Sequence, residues 1–514
     1  MIFLTGASLT VEQLTAIADR GEHVGVASEA IARVAAARAV VDRKASGQEP
    51  VYGINTGFGS LADVKIEPDR LETLQRNLLR SHAAGLGPAL PVRSVRASMA
   101  LRANVLAKGY SGVSVGTLDA LVAMLNARVH PVMPSRGSVG ASGDLAPLAH
   151  MALVLIGEGE ASYDVRQGAS RSSSSTTVPG AQALRQAGLS PITLGAKEGL
   201  ALINGTQPST AVLGLALDGA ERLARAADIA AALAIDALRG SIHPFEARIH
   251  QARGFAGQMD SAANIEHLIA GSGINRSHEL CGRVQDAYSM RCAAQVHGAT
   301  RDALAFVRRT VEVEANAATD NPMVFADTGE IVSCGNFHGQ PVAIAADLLA
   351  AALAPLATIS ERRTDRLVNP ALSDLPAFLT RDGGLRSGLM MAQVTAAAVA
   401  SELKTLAQPA GVDTIPTSAN KEDHVSMSMA AALKAERALV AAREVLAIEI
   451  LCACQAIDLL APLATSPALG RVVSKVRAHV PTLDDDRPPA PDIVSITELI
   501  ATGELENACG VRVK

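Results

Sequence analysis

Tryptophan is absent from the chain, and four tyrosines and eight phenylalanines are its only aromatics, 2% of 514 residues. A β-sandwich or barrel draws on β-branched and aromatic side chains, so this scarcity argues against either. Basic blocks are missing too. Lysine and arginine are scattered and the formal net charge is −5, which leaves no electrostatic footprint for nucleic acid or an anionic membrane surface. Long apolar runs are interrupted, by Asp218, Glu221, Arg222 and Arg225, by Asp347, and by Glu449 with Asp458. No uninterrupted membrane span is expected. The six cysteines (Cys281, Cys292, Cys334, Cys452, Cys454, Cys509) form no C-x-x-C and no disulfide framework. The N-terminal Met-Ile-Phe-Leu-Thr-Gly lacks a basic signal-peptide region. Together these predict a reducing, cytoplasmic compartment. No P-loop, no dinucleotide fingerprint and no H-E-x-x-H occurs, so neither a nucleotide nor a metal cofactor is expected.

What the chain does have is alanine, leucine and valine, within an apolar fraction of 48%. That composition predicts a mainly α protein of long, closely packed helices. Thr10-Val11-Glu12-Gln13 reads as a capping box, Ser28 opens a second helix, and helices resume after Pro68 and Pro91. Later helices are predicted over roughly 208–240, 283–316, 339–363, 385–406 and 427–462, longer than the usual ~11–12 residues and implying a bundle. The change of character sets a boundary near residue 200: an N-terminal domain over 1–200 and a long-helix domain over 201–514. The Ser-rich stretch 168–180 reads as a surface loop at a hairpin tip after Tyr163.

Chemistry concentrates in the stretch from Gly137 to Pro147, with Ala141-Ser142-Gly143 at its centre. It is not a hydrolase elbow, because Asp144 stands where G-x-S-x-G needs glycine. One reading is a tight turn before a helix capped by Ser142 or Asp144. The other is covalent. The Gly143 nitrogen attacks the Ala141 carbonyl carbon and water is lost. Dehydration of Ser142 then gives a five-membered ring with an exocyclic methylene, an electrophile no standard side chain provides.

The tripeptide alone does not choose between these, but other blocks accompany it. They are Tyr52 to Gly59, Ser81-His82-Ala83-Ala84-Gly85, Lys197 to Thr206, Gln285 to Arg291, Asn336 to Pro341, and Ser418 to Met427. With these blocks, in this order and almost end to end, the chain resembles the aromatic amino acid lyases that carry a methylidene-imidazolone (MIO) prosthetic group. Within them it resembles the histidine ammonia-lyases, or histidases. The resemblance implies a fumarase/histidase-like long-helix bundle with a smaller, mixed but mostly helical N-terminal domain. It also implies a homotetramer with active sites shared between subunits, acting on a small amino acid.

The resemblance makes Tyr52 the base at the substrate β-carbon and Ala141, Ser142 and Gly143 the source of the MIO group. A tyrosine base with an ordinary pKa near ~10 needs that value lowered by roughly 2 units to be half ionised near pH 8. Gln285, Tyr288 and Arg291 recur at i, i+3 and i+6 and share one face of a predicted helix. Arg291 suits a bidentate pair with a substrate carboxylate. By resemblance Gln285 and Tyr288 border the prosthetic group, Asn204 hydrogen-bonds near it, and Phe337 packs in the pocket wall. His82 and Glu422 stand where phenylalanine- and tyrosine-specific members usually differ, and favour histidine as substrate.

Departures from the histidase pattern are Gln340 for Glu, Ala287 for Pro, Ala293-Ala294 for Gln-Pro, Leu403 for Asn and Gln408 for His. None removes a catalytic group. The expected activity is elimination of ammonia from L-histidine to trans-urocanate; the alternative is an MIO-dependent lyase or aminomutase for another aromatic amino acid. A fumarase-type serine lyase is disfavoured, because its G-S-S-x-M-P loop is missing. A dead scaffold is disfavoured because Tyr52, Ser142 and Arg291 are all present.

Overall fold

Alanine gives up no side-chain entropy in a helix, and helix takes 59% of the described residues of this alanine-rich chain. The computed structural model describes residues 1–163, 176–279, 282 and 284–514. Two compact units result. One gathers residues 1–215, 308–347 and 410–433, the other 216–307, 348–409 and 434–514. The expected single boundary near residue 200 differs from this division, in which each unit gathers three chain segments and breaks fall inside long helices such as Gln207–Ala237 and Ser428–Leu459.

In the first unit, the Thr10 side chain accepts from Gln13 N–H, and the Gln13 side chain accepts from Thr10 N–H. This capping box starts helix Val11–Asp19. Ile2–Leu4 pairs in parallel with Val24–Val26, with Ile2 opposite Val24. A three-stranded antiparallel sheet joins Val129–Pro131, Glu160–Tyr163 and Thr177–Pro179. The last two strands pair where a hairpin was expected, while residues 168–175 of the Ser-rich stretch lie outside the described residues. Three helices matter most for function: Leu71–His82, Leu145–Leu155 and Glu198–Ile203, which pack on one another. His82 ends the first, Ser142 stands just before the second, and Asn204 caps the C-terminus of the third. Their mutual packing therefore brings three distant sequence blocks to one place.

The second unit is built on the long helices. Helix Gln207–Ala237 buries Ala226, Ala227, Ala230, Ala231 and Ala234 almost completely, and such small side chains let neighbouring helices approach closely. One predicted helix is broken. Residues 283–316 contain a four-residue turn, Tyr288–Arg291, and then helix Ala293–Ala315. Ala287 is extended at ψ 154°, and the Asp286 carbonyl accepts from Arg291 Nε at 3.0 Å, so Gln285 lies outside any helix. Helix Gln340–Val368 is long and apolar enough to cross a membrane by length and composition, and Asp347 does not break it as expected. Yet 56% of its most apolar stretch is buried inside the protein.

Candidate active site

The Ala141-Ser142-Gly143 segment is held by backbone. Gly143 adopts φ +70°, a conformation that disfavours any side chain, and a Cβ there would meet the Gly205 carbonyl carbon and oxygen at 2.2 Å. Asp144 N–H donates to the Gly205 carbonyl at 2.8 Å. Asp144 stands at the start of helix Leu145–Leu155 but makes no side-chain cap. Its buried carboxyl instead accepts from Ser138 Oγ at 2.6 Å and from Ser209 N–H at 2.8 Å, while burial pushes its pKa up.

Beside this segment lies a cavity of about 450 Å³, lined by Tyr52, His82, Ala141, Ser142, Asn204, Phe337 and Glu422. The seven come from six separate sequence blocks. Glu422 is fully engaged. One carboxylate oxygen accepts from Ser142 Oγ at 2.7 Å, the other from Thr417 Oγ1 at 2.6 Å and Ser418 Oγ at 3.0 Å. His82 Nδ1 lies 2.9 Å from the Leu78 carbonyl, and a carbonyl only accepts, so Nδ1 carries the hydrogen. Nε2 is then left as an acceptor, and burial lowers the pKa, which favours the neutral ring. Asn204 Nδ2 donates to the Asn321 carbonyl at 3.0 Å, leaving Oδ1 buried with no partner. An unpaired buried acceptor in a cavity wall is the mark of an absent donor.

Tyr52 behaves differently from expectation. Burial pushes its phenol pKa up, a backbone contact at Gly59 opposes this, and the Glu422 carboxylate pushes it further up. Within this chain the phenol is thus moved away from ionisation, where a tyrosinate base needs the reverse. Its ring meets Phe58 edge-on, at a centroid distance of 6.5 Å.

Gly143, next in sequence to the lining Ser142, is not itself among the lining residues, and Gln285, Tyr288 and Arg291 do not line the cavity either. In the second unit Gln285, Tyr288 and Arg291 form a cluster of their own. Arg291 Nη2 donates to Gln285 Oε1 at 3.0 Å, and its guanidinium lies 4.6 Å over the Tyr288 ring, which is 70% exposed. Sequence reasoning missed other lining residues: Phe58, Asn321, Lys421, and the stacked rings of His338 and His424, 5.7 Å apart. Phe58, Lys421, His338 and His424 belong to blocks already singled out, so the signal was present and only one or two residues of each block were taken.

A family model described as aromatic amino acid lyase matches residues 9–478. The chain belongs to the aromatic amino acid lyase family. This lyase is 54% identical over 507 residues to a histidine ammonia-lyase of Anaeromyxobacter sp. (strain K), covering 98% of this chain and 99% of that one. Its fold matches the crystal structure of histidine ammonia-lyase from Trypanosoma cruzi with a TM-score of 0.91 and 42% identity, covering 99% of this chain and 94% of that one. It also matches a tyrosine aminomutase from Streptomyces globisporus with a TM-score of 0.93 and 38% identity, each chain covered completely. The lyase backbone therefore does not by itself separate these activities. The residues present fit an MIO group: a glycine where only glycine fits, a half-buried serine on the cavity, and the unpaired Asn204 acceptor beside them.

Proposed function

We propose that the protein is a histidine ammonia-lyase that eliminates ammonia from L-histidine to give trans-urocanate, using an MIO group formed from Ala141, Ser142 and Gly143. The observation that carries this reading is the cavity pairing of Ser142 with Glu422 beside a neutral His82 and an unpaired Asn204 acceptor. When formed, the MIO methylene supplies an electrophile for the substrate amine. Asn204 Oδ1 accepts a hydrogen bond from the bound amino acid. Glu422 and His82 Nε2 present acceptors to the imidazole, whose N–H requires one. Tyr52 removes the β-proton through its phenol oxygen, which must first be ionised. Because burial and Glu422 oppose ionisation here, positive charge must come from elsewhere in the assembled site.

Arg291, Gln285 and Tyr288 supply the substrate carboxylate clamp and the border of the MIO group from a neighbouring copy in a homotetramer, so that sites are shared between subunits. The cytoplasm is the compartment in which such a free-thiol enzyme works. The test is an intact mass together with an amino acid panel followed by product absorbance. The mass should fall two waters below the sequence mass, with the deficit in a peptide spanning Ala141 to Gly143, and histidine should be the fastest substrate. An active enzyme at the unmodified mass removes the MIO mechanism. The likeness to a tyrosine aminomutase supports one other reading, an aminomutase, which the appearance of a β-amino acid in place of urocanate would establish.

A further inference from the structure

Arg102 lies within helix Val92–Ala107 and is completely buried. Its charge is not neutralised in the ordinary way. Asp320, the nearby carboxylate that acts on it, bonds Lys197 Nζ at 3.1 Å, with both side chains fully buried. Arg102 Nη1 instead donates to the Asn204 carbonyl and to Gln207 Oε1, each at 2.7 Å. Nε and Nη2 are buried without a partner. Replacing buried ionic groups by apolar ones is often neutral or stabilising, so stability alone does not account for a guanidinium with unmade bonds here.

What Arg102 touches leads to the reacting peptide. A Cβ on Gly205, at φ +148°, would meet Arg102 Nη1 at 2.6 Å, and a Cβ on Gly143 would meet the Gly205 carbonyl at 2.2 Å. The Gly205 carbonyl in turn accepts from Asp144 N–H. Guanidinium, Asn204–Gly205 peptide and Gly143 backbone are thus stacked with no side chain between them. The same peptide carries Asn204, whose Nδ2 bond to the Asn321 carbonyl leaves Oδ1 as the unpaired acceptor of the cavity.

We propose that Arg102 is a positioning residue that holds the Asn204–Gly205 peptide against Gly143, setting both closure of the MIO ring and the orientation of the Asn204 acceptor toward substrate. The inference rests on the MIO reading above. In ring closure the Gly143 nitrogen bonds the Ala141 carbonyl carbon, and that carbonyl oxygen leaves as water with the amide hydrogens of Ser142 and Gly143. The Ser142 Cα hydrogen and hydroxyl then leave as a second water, forming the Cα–Cβ double bond. Both steps are internal and need no oxidant. Arg102 contributes by confining the Gly143 backbone, not by exchanging a proton. Burial lowers its pKa only to about 10, so it stays a cation at neutral pH.

The experiment weighs intact, soluble, folded Arg102→Met, Arg102→Lys and Gln207→Met beside the parent and measures KM and kcat per matured site. A parent at its unmodified sequence mass means that the MIO reading itself has failed. With a parent two waters lighter, Arg102→Met should leave most molecules unmodified and Arg102→Lys an intermediate fraction. Gln207→Met, which removes the second acceptor on the same Nη1, should leave a smaller fraction unmodified. The matured fraction of the Arg102 variants should show KM raised by roughly tenfold, the size of one lost hydrogen bond, with kcat little changed. Full maturation with the parent's KM in the Arg102 variants overturns the proposal, whatever their melting temperatures. Should Arg102→Met not fold, the same result in both Arg102→Lys and Gln207→Met overturns it.

Discussion

Two buried carboxylates of the second unit, Asp228 and Glu449, have donors on both oxygens, whereas the Asn204 side-chain oxygen in the cavity wall of the first unit has none. In the second unit Asp228, fully buried, accepts two donors on each oxygen. Ser261 Oγ and His297 Nδ1 reach one at 2.5 and 2.8 Å, and Arg301 Nη2 and Asn264 Nδ2 reach the other at 2.6 and 2.8 Å. Arg363 grips Glu449 through two nitrogens, the Nη2 bond being 2.9 Å, and both are fully buried. Its remaining Nη1 donates to the Ser289 carbonyl at 3.3 Å. Around the cavity, by contrast, Asn204 Oδ1 has no partner, Gly143 is held in a left-handed and crowded conformation, and the Tyr52 phenol is shifted away from ionisation. A carboxylate met on both oxygens specifies a structure, whereas an unmet acceptor on a cavity wall is open to a ligand.

The sharpest way to separate the two regions is to remove one atom from the cavity. Tyr52→Phe keeps the ring and deletes the phenol oxygen, so kcat should fall by about 10²–10⁴ or more while thermal stability holds. Ser142→Ala should abolish turnover and the two-water deficit together. A Tyr52→Phe enzyme within a few-fold of the parent would mean that the base is another group. The converse holds in the second unit. Arg363→Met strands a buried Glu449 and should destabilise by about 3–5 kcal/mol, read as a lower unfolding midpoint. The double variant Arg363→Met/Glu449→Leu should recover most of that loss. If the single variant melts like the parent, the pair is not the structural element described here.

The helices were legible because their signals are local. Thr10 and Gln13 form the capping box that their spacing predicts, and the alanine runs became long helices. The break at Tyr288–Arg291 was not legible, because it depends on where the Asp286 carbonyl goes, and that carbonyl is taken by the Arg291 side chain. At the site, residue types and motif order singled out Tyr52, His82, Ser142, Asn204, Phe337 and Glu422, which line one cavity, and also Gln285, Tyr288 and Arg291, which do not. The electrostatics were hidden. A lowered Tyr52 pKa was expected from its role, but burial and the nearness of Glu422 are tertiary facts that push it the other way.

A milder probe is acid. Asp228 is lowered from its ordinary 3.8 to about 2: burial alone would raise it, and Arg301, His297 and Asn264 outweigh that. Burial lowers the pKa of His297 below 6.5 despite Asp228, with Arg363 and Glu449 also facing the ring. For both groups the unfolded chain binds more protons between the two pKa values, so stability rises with pH across each window. Falling pH should therefore weaken the fold first below about 6.5, through His297, and again below about 4, through Asp228. The Asp228 contribution is about 2 kcal/mol. Melting temperatures measured from pH 8 to 3 should show both losses, and His297→Asn should show a smaller first loss, since His82, His150 and His250, also lowered by burial, share its sign. An unchanged profile in His297→Asn would place the early loss elsewhere.

The smallest expected effect falls on the cavity's own carboxylate. Glu422 is engaged on both oxygens, and Ser142 supplies one of its three hydroxyl donors. On the MIO reading that hydroxyl departs when the ring forms, and the freed carboxylate oxygen is then available to the imidazole N–H of histidine. Phenylalanine offers no such donor, so the oxygen would stay desolvated and unpaired beside its ring. Glu422→Gln exchanges an acceptor for an amide that also donates. It should lower kcat/KM for histidine by roughly tenfold and shift the ratio toward phenylalanine and tyrosine, because a site built to bond a polar substrate discriminates most through its unpaired groups. A variant with the parent's ratio would detach Glu422 from specificity. If the parent itself turns over phenylalanine or tyrosine faster than histidine, the histidine assignment falls and the aromatic amino acid lyase family stands alone.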